Sequence, residues 1–244
     1  MSAHSGPDIV TDGLVLHLDA ADIKSYNGSG TTWYDRSGNE NHFILNGSPE
    51  LINGVFAFTD ETKYAYKEIS RENNPDLVRV NESFSTEIIY KPIQNTIKGK
   101  FFGCGNYGVG GWNIGVSDDS FTNFQFQGYN NECDDGVNCR YNRGSIISDT
   151  IPKIQTDKFV HFAIVYNMDN LYTYAYLNGQ LIGSQYDSTR GTGPTVTNFF
   201  IGRNMQGGWT TLYGYCPLVR MYTNVLSNEQ ILQNYKATKS RFQL

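Results

Sequence analysis

Glu132-Cys-Asp134 is the only Glu-x-Asp in the chain and the first place to look for acid–base chemistry. Glycoside hydrolysis uses two closely spaced carboxylates, and residues i and i+2 of one strand put such a pair on one face. Here no third carboxylate follows at matching spacing, and the pair lies in a polar insertion rather than an apolar strand. No Ser-His-Asp constellation or glycine-rich phosphate loop accompanies it. A protein that is not an enzyme is therefore expected.

Sugar recognition needs aromatic platforms beside amide and carboxylate groups. Trp112 and Trp209 each follow a Gly-Gly pair, and Tyr107, Asn113, Asn204 and Tyr213 lie near one or the other in sequence. These six are the candidate carbohydrate residues. The same positions also suit a core or a subunit interface.

Calcium takes several oxygen donors converging from loops. Asp19, Asp22, Asp35 and Asn39 form the candidate Ca²⁺ set, and Asp134, Asp135 and Asn138, closed by Gly136, form a competing one. Against calcium, Asp35-Arg-Ser-Gly-Asn39 can form a turn from its own side chains, with Asp35 as turn-former. Cys133 and Cys139 bracket a short loop and can form a disulfide under oxidising conditions; in a reducing cytosol they stay as thiols. No Cys/His cluster has zinc spacing, and His4, His17, His42 and His161 are scattered.

The net charge of −5 leaves no basic footprint for nucleic acid or an anionic membrane. No apolar run approaches the length of a membrane span. The first residues, Met-Ser-Ala-His-Ser-Gly-Pro-Asp8, have neither the basic region nor the apolar core of a secretory signal.

The elements that must position these groups are short strands. Phe159 to Tyr166 is apolar on both faces except at His161, as a strand covered on both sides should be. Leu171 to Leu177 alternates, with Tyr172, Tyr174 and Tyr176 on one face. Asn178-Gly179 then marks a tight hairpin into a third strand, Gln180 to Ser184. Further strands are expected at 13–19, 31–34, 42–45, 55–58, 84–91, 101–104, 112–116, 121–127, 151–154, 199–202 and 213–222, with 59–82 irregular. Ser227 and Gln230 form a capping box, and Leu226 with Ile231 a hydrophobic staple, for one short C-terminal helix. Residues 1–12 read as a flexible leader, 13–244 as a single domain, and 129–148 as an insertion loop. The pattern is all-β, an antiparallel two-sheet sandwich of jelly-roll type.

Gly13-Leu-Val-Leu-His-Leu-Asp-Ala20, Gly30-Thr-Thr-Trp-Tyr-Asp-Arg-Ser-Gly-Asn-Glu-Asn41 and Phe84 to Pro92 resemble the laminin-G-like, concanavalin A-like lectin/glucanase domains. So do Tyr176-Leu-Asn-Gly-Gln-Leu-Ile-Gly183, Phe200-Ile-Gly-Arg203 and Val219 to Gln230. The Trp-Tyr-Asp-x-Ser-Gly-Asn turn is similar to a variant found in structural proteins of bacteriophages and other viruses. The resemblance implies a virion structural protein: a capsid-decoration, head-fibre or tail-associated subunit, made in the host cytoplasm. It would stand alone on the particle surface as a homo-oligomer among other virion proteins. The alternative is a carbohydrate-binding domain for a host-surface glycan, and a second alternative is a glycoside hydrolase.

Overall fold

The computed structural model describes residues 7–70, 72–78, 82–93, 99–106, 110–116, 124–133, 139–142, 158–186, 196–203, 211 and 213–244. In chain order the strands are β1 (Leu14–Asp19), β2 (Thr32–Trp33), β3 (Phe43–Asn46), β4 (Glu50–Ile52), β5 (Val55–Phe58), β6 (Tyr64–Ser70), β7 (Phe84–Pro92) and β8 (Gly99–Asn106). They continue with β9 (Gly110–Val116), β10 (Phe124–Cys133), β11 (Cys139–Asn142), β12 (Val160–Asn167), β13 (Tyr172–Leu177), β14 (Gln180–Tyr186), β15 (Val196–Ile201) and β16 (Gly214–Tyr222). A helix, α1 (Asn228–Phe242), follows β16.

Among the described residues, two eight-stranded sheets form a sandwich. The first runs β14-β13-β12-β7-β16-β5-β4, with β1 also joined to β16, and the second runs β11-β10-β9-β8-β15-β6-β3-β2. Strand β16 is the organiser of the first sheet. It pairs with β7 along one edge and along the other with β5 and then β1.

Between the sheets lies an aromatic core. Phe56, Phe84, Tyr90 and Phe162 come from the first sheet, and Trp33, Phe43, Phe102, Trp112 and Phe199 from the second. Tyr90 stacks on Phe101 at 4.5 Å and Phe84 on Trp112 at 5.1 Å. Burying such rings is the main favourable term for a sandwich of this kind.

The expected meander is present as β12, β13 and β14. Strand β12 is buried on both faces because α1 covers the outer side of its sheet, where Ala163 and Val165 pack with Ile231. The Asn178-Gly179 turn has φ of +50° and +77°, and Asn178 is tied to His161 through its backbone N–H and its side-chain carbonyl. A Cβ at Gly179 would lie 3.0 Å from Tyr235 of α1, so the turn sits directly beneath the helix.

The helix starts as expected. Ser227 accepts from the Gln230 backbone N–H, and the Gln230 side chain accepts from the Ser227 N–H. Leu226 and Ile231 share one buried cluster, as a staple requires.

Three expectations need correction. Residues 8–12 are not a loose leader: Val10 is buried, its N–H bonds Asn234 Oδ1 at 2.8 Å, and Gln233 of α1 bonds the Asp8 carbonyl. The stretch 59–82 holds a full strand, β6, between β15 and β3. The insertion at 129–148 is in part the hairpin of β10 and β11. The strand expected at 151–154 lies outside the described residues.

Candidate functional site

The outer face of the first sheet carries alternate residues of each strand, and its middle is charged. Glu87 of β7 stands opposite Arg220 of β16 in the ladder. Glu87 Oε1 lies 3.3 Å from His161 Nε2, and Oε2 lies 3.4 Å from Arg220 Nη1 and 3.0 Å from Asn234 Nδ2. Asn234 also donates to the Tyr222 hydroxyl at 3.0 Å, so one amide of α1 ties the helix to the sheet. Burial opposes ionisation of Glu87, but His161, Arg220 and Asn234 outweigh it and hold its carboxyl below the usual range. This sealed cluster fixes where α1 lies.

Because α1 is fixed there, its last turn overhangs the start of β12 and the end of β7. Phe242 packs with Ile89, Leu218 and Phe159. The Lys91 ammonium sits 5.0 Å from the Phe159 ring centroid and 4.6 Å from that of Tyr215. Arg241 donates to both carboxylate oxygens of Asp19, at 2.7 and 2.9 Å, while its guanidinium lies 5.0 Å from the Phe242 ring. Across from these, the β4–β5 turn brings up Asn53, with φ of +51°. The result is a recess of about 470 Å³, within the range of small-molecule sites.

The lining sets the chemistry. Lys91, Lys158 and Arg241 are cationic, Asn53 and Gln243 offer neutral amides, and Phe159, Val55 and the buried Phe242 form an apolar wall. Among the described residues, no carboxylate, imidazole, hydroxyl or thiol side chain lines the recess.

The residues expected from sequence lie elsewhere. Trp112 is 2% exposed and belongs to the core, stacked on Phe84 and edge-on to Phe102 and Phe199. Its surroundings rule it out as a sugar platform. Asn113 beside it is buried and Tyr213 is half-buried, with burial raising the Tyr213 phenol. Tyr107, Asn204 and Trp209 fall outside the described residues, as do Asp134, Asp135, Gly136 and Asn138. Glu132 is described only in its backbone, within β10.

The candidate calcium set is committed to protein donors. Asp35 accepts from the N–H groups of His17, Ser37 and Asn41 and from the Ser37 hydroxyl at 2.6 Å. Asp19 pairs with Arg241, and Asp22 accepts from the Lys24 N–H and lies 3.4 Å from Arg36. The Asn39 amide nitrogen donates to the Leu14 carbonyl and to Ser37. Carboxylate oxygens that face N–H groups and guanidinium ions do not fit a hard dication, so Asp19, Asp22 and Asp35 serve as turn-formers and tethers, and Asn39 is held through its amide nitrogen. Among the described residues no group of three His, Cys, Asp or Glu side chains suits a metal. Cys133 and Cys139 stand opposite each other in the β10–β11 register.

The recess was missed because its walls come from positions 53, 91, 158–159 and 241–243. The local signals are Lys91 beside Pro92 at the end of β7 and Arg241 in the last helical turn, where a basic residue also suits the helix end.

Comparisons with known proteins agree with this architecture. A family model of the concanavalin A-like lectin/glucanases superfamily, laminin G type, matches residues 61–232. No curated protein matches the chain in sequence. Among solved structures it is similar to the receptor binding domain of a botulinum neurotoxin C/D mosaic serotype (TM-score 0.66, 16% identity, 93% of this chain and 51% of that one). It is also similar to Trypanosoma rangeli sialidase in complex with sialic acid (0.65, 15%, 93% and 33%). A third is the binding domain of botulinum neurotoxin DC in complex with SialylT (0.62, 15%, 92% and 51%). The chain spans about half the length of the two toxin domains and a third of the sialidase. At these identities the likeness concerns fold. With the family model matching well over half of its residues, the chain belongs to the concanavalin A-like lectin/glucanase superfamily, as a laminin G-type domain.

Proposed function

We propose that this protein is a lectin-like module that binds carbohydrate without cleaving it, in the recess under the last turn of α1. The observation that carries this reading is the lining of that recess: aromatic surface, amides and cations, with no carboxylate pair among the described residues. Two of the structurally similar proteins are complexes with sialic acid and with SialylT, which supports the glycan reading. The virion-subunit role expected from sequence draws no support from these comparisons, and the carbohydrate-binding alternative does. The test is a glycan microarray of neutral and acidic saccharides probed with the intact protein, with reducing-sugar release assayed on every bound structure. Binding without release is expected. Release of sugar, or no binding above an unrelated sandwich protein, would overturn the proposal.

A second use, as a subunit of an assembly, rests on a different face. Tyr172, Leu181 and Tyr186 are 36%, 49% and 52% exposed on β13 and the edge strand β14, with Tyr172 packed on Tyr174 and Tyr186. Exposed tyrosine on a sheet edge suits protein contact. Light scattering across a concentration series should then show a homo-oligomer that Tyr186→Ser dissociates; a monomer at all concentrations removes this use.

A further inference from the structure

The charge of the recess narrows the saccharide. We infer that it selects an acidic saccharide, one whose ring bears a carboxylate or sulfate group, with Lys91 and Lys158 as the anion-binding pair. This inference rests on the carbohydrate-binding reading above. Three cationic side chains line one recess on a chain whose net charge is −5. Arg241 is already paired, in two short hydrogen bonds, with Asp19, so it forms a wall and not a free anion receptor. No described carboxylate lies within ion-pair distance of Lys91 or Lys158.

The two lysines do different work. Lys91 is half-buried, and its ammonium is held against the faces of Phe159 and Tyr215, which fixes a charge that a free lysine would leave mobile. Lys158 is exposed at the rim, next in sequence to Phe159, and can swing onto a bound anion. A neutral sugar docking here would strip water from the Lys91 ammonium and return no counter-charge, which opposes binding. A carboxylate or sulfate returns a charge-assisted hydrogen bond, stronger than a neutral one. Asn53 and Gln243 remain for hydroxyl groups, and Val55 with Phe159 for the apolar side of a sugar ring. A bare inorganic anion would leave most of the roughly 470 Å³ unfilled, so the saccharide and not the anion alone matches the recess.

The test is calorimetric titration of the intact protein with a sialylated oligosaccharide, a sulfated one, their neutral counterparts and inorganic sulfate. It is repeated on Lys91→Met and Lys158→Gln after circular dichroism has shown that each variant is folded. The parent should bind one or both acidic sugars, with affinity falling as salt rises. Each substitution should weaken that binding about tenfold or more, the loss of one charge-assisted bond. The sialylated and sulfated arms identify which acid is preferred. Equal binding of the neutral counterpart, untouched by either substitution, would overturn the acidic inference and leave the lectin reading intact. Inorganic sulfate binding as tightly as the sugars would show an adventitious ion only. Absence of binding to any saccharide would remove both.

Discussion

Mild acid should weaken this protein before its carboxylates titrate, and the group responsible is His17. The residue lies in β1 opposite Arg220, one strand away from the buried Glu87 cluster. Burial first, and then the Arg220 charge, push its imidazole from 6.5 to about 4, against the opposing pull of Asp19 and Asp35. A folded pKa below the unfolded one means that the unfolded chain binds more protons between the two. Stability from this group is therefore complete above about pH 6.5 and is lost as pH falls toward 4. At pH 5 the linkage amounts to about 2 kcal/mol, a substantial part of the ~5–15 kcal/mol available to a typical domain. Urea unfolding at pH 7.5 and at pH 5.0, on the parent and on His17→Gln, measures it. The parent should lose about 2 kcal/mol between the two conditions. The glutamine variant cannot take up the proton, so its loss should be smaller by about that amount, whatever its stability at pH 7.5. Parallel pH profiles for the two proteins would refute the assignment.

Three further outcomes follow from the packing. Trp112→Ala should cost about 3–5 kcal/mol, the usual loss for a large buried ring, and leave saccharide affinity unchanged in the fraction that still folds. A glycan-binding defect without a stability loss would return Trp112 to the site. Asp35→Ala removes the acceptor of three hydrogen bonds in its turn and one from β1, and should destabilise by about 2–3 kcal/mol, equally with calcium and with chelator. A calcium-dependent melting shift abolished by that substitution would restore a metal to the account. Cys133 and Cys139, opposed across the β10–β11 ladder, should form a bridge under mild oxidation, because the Cα separation of directly opposed strand residues falls within the disulfide range. Mass spectrometry after alkylation reads the outcome, and two alkylated thiols in oxidised protein would contradict it.

Local chemistry made part of this molecule legible. Asn178-Gly179 can take positive φ at both positions, and Ser227 with Gln230 closes a cap within a few residues, so both features could be read where they stand. Strand β6 was hidden because Lys67 interrupts the inward sequence of Ala65 and Ile69, blurring an alternation that the outward Tyr64, Tyr66 and Glu68 otherwise show. Trp112 misled for a different reason. The glycines before it looked like the edges of an exposed platform, but the ring turns into the core, and the neighbouring strand needs a glycine where it passes the Trp112 backbone. At Gly103, with φ of +146°, a Cβ would overlap the Trp112 and Asn113 backbone. The recess depends on the last turn of α1 meeting β7 and β12. That meeting is set by Asn234 reaching Glu87 at a sequence separation of 147, and no spacing along the chain reports it.

The most direct test of the central claim is to see where a saccharide sits. Backbone ¹H–¹⁵N shifts would be recorded on the intact protein during titration with the best ligand from the microarray. Shift changes should concentrate at Asn53, Lys91, Lys158, Phe159 and Arg241 to Gln243 and be absent from Tyr172 and Tyr186. Saturable changes confined to any other face, with these residues unmoved, would contradict the recess as the carbohydrate site.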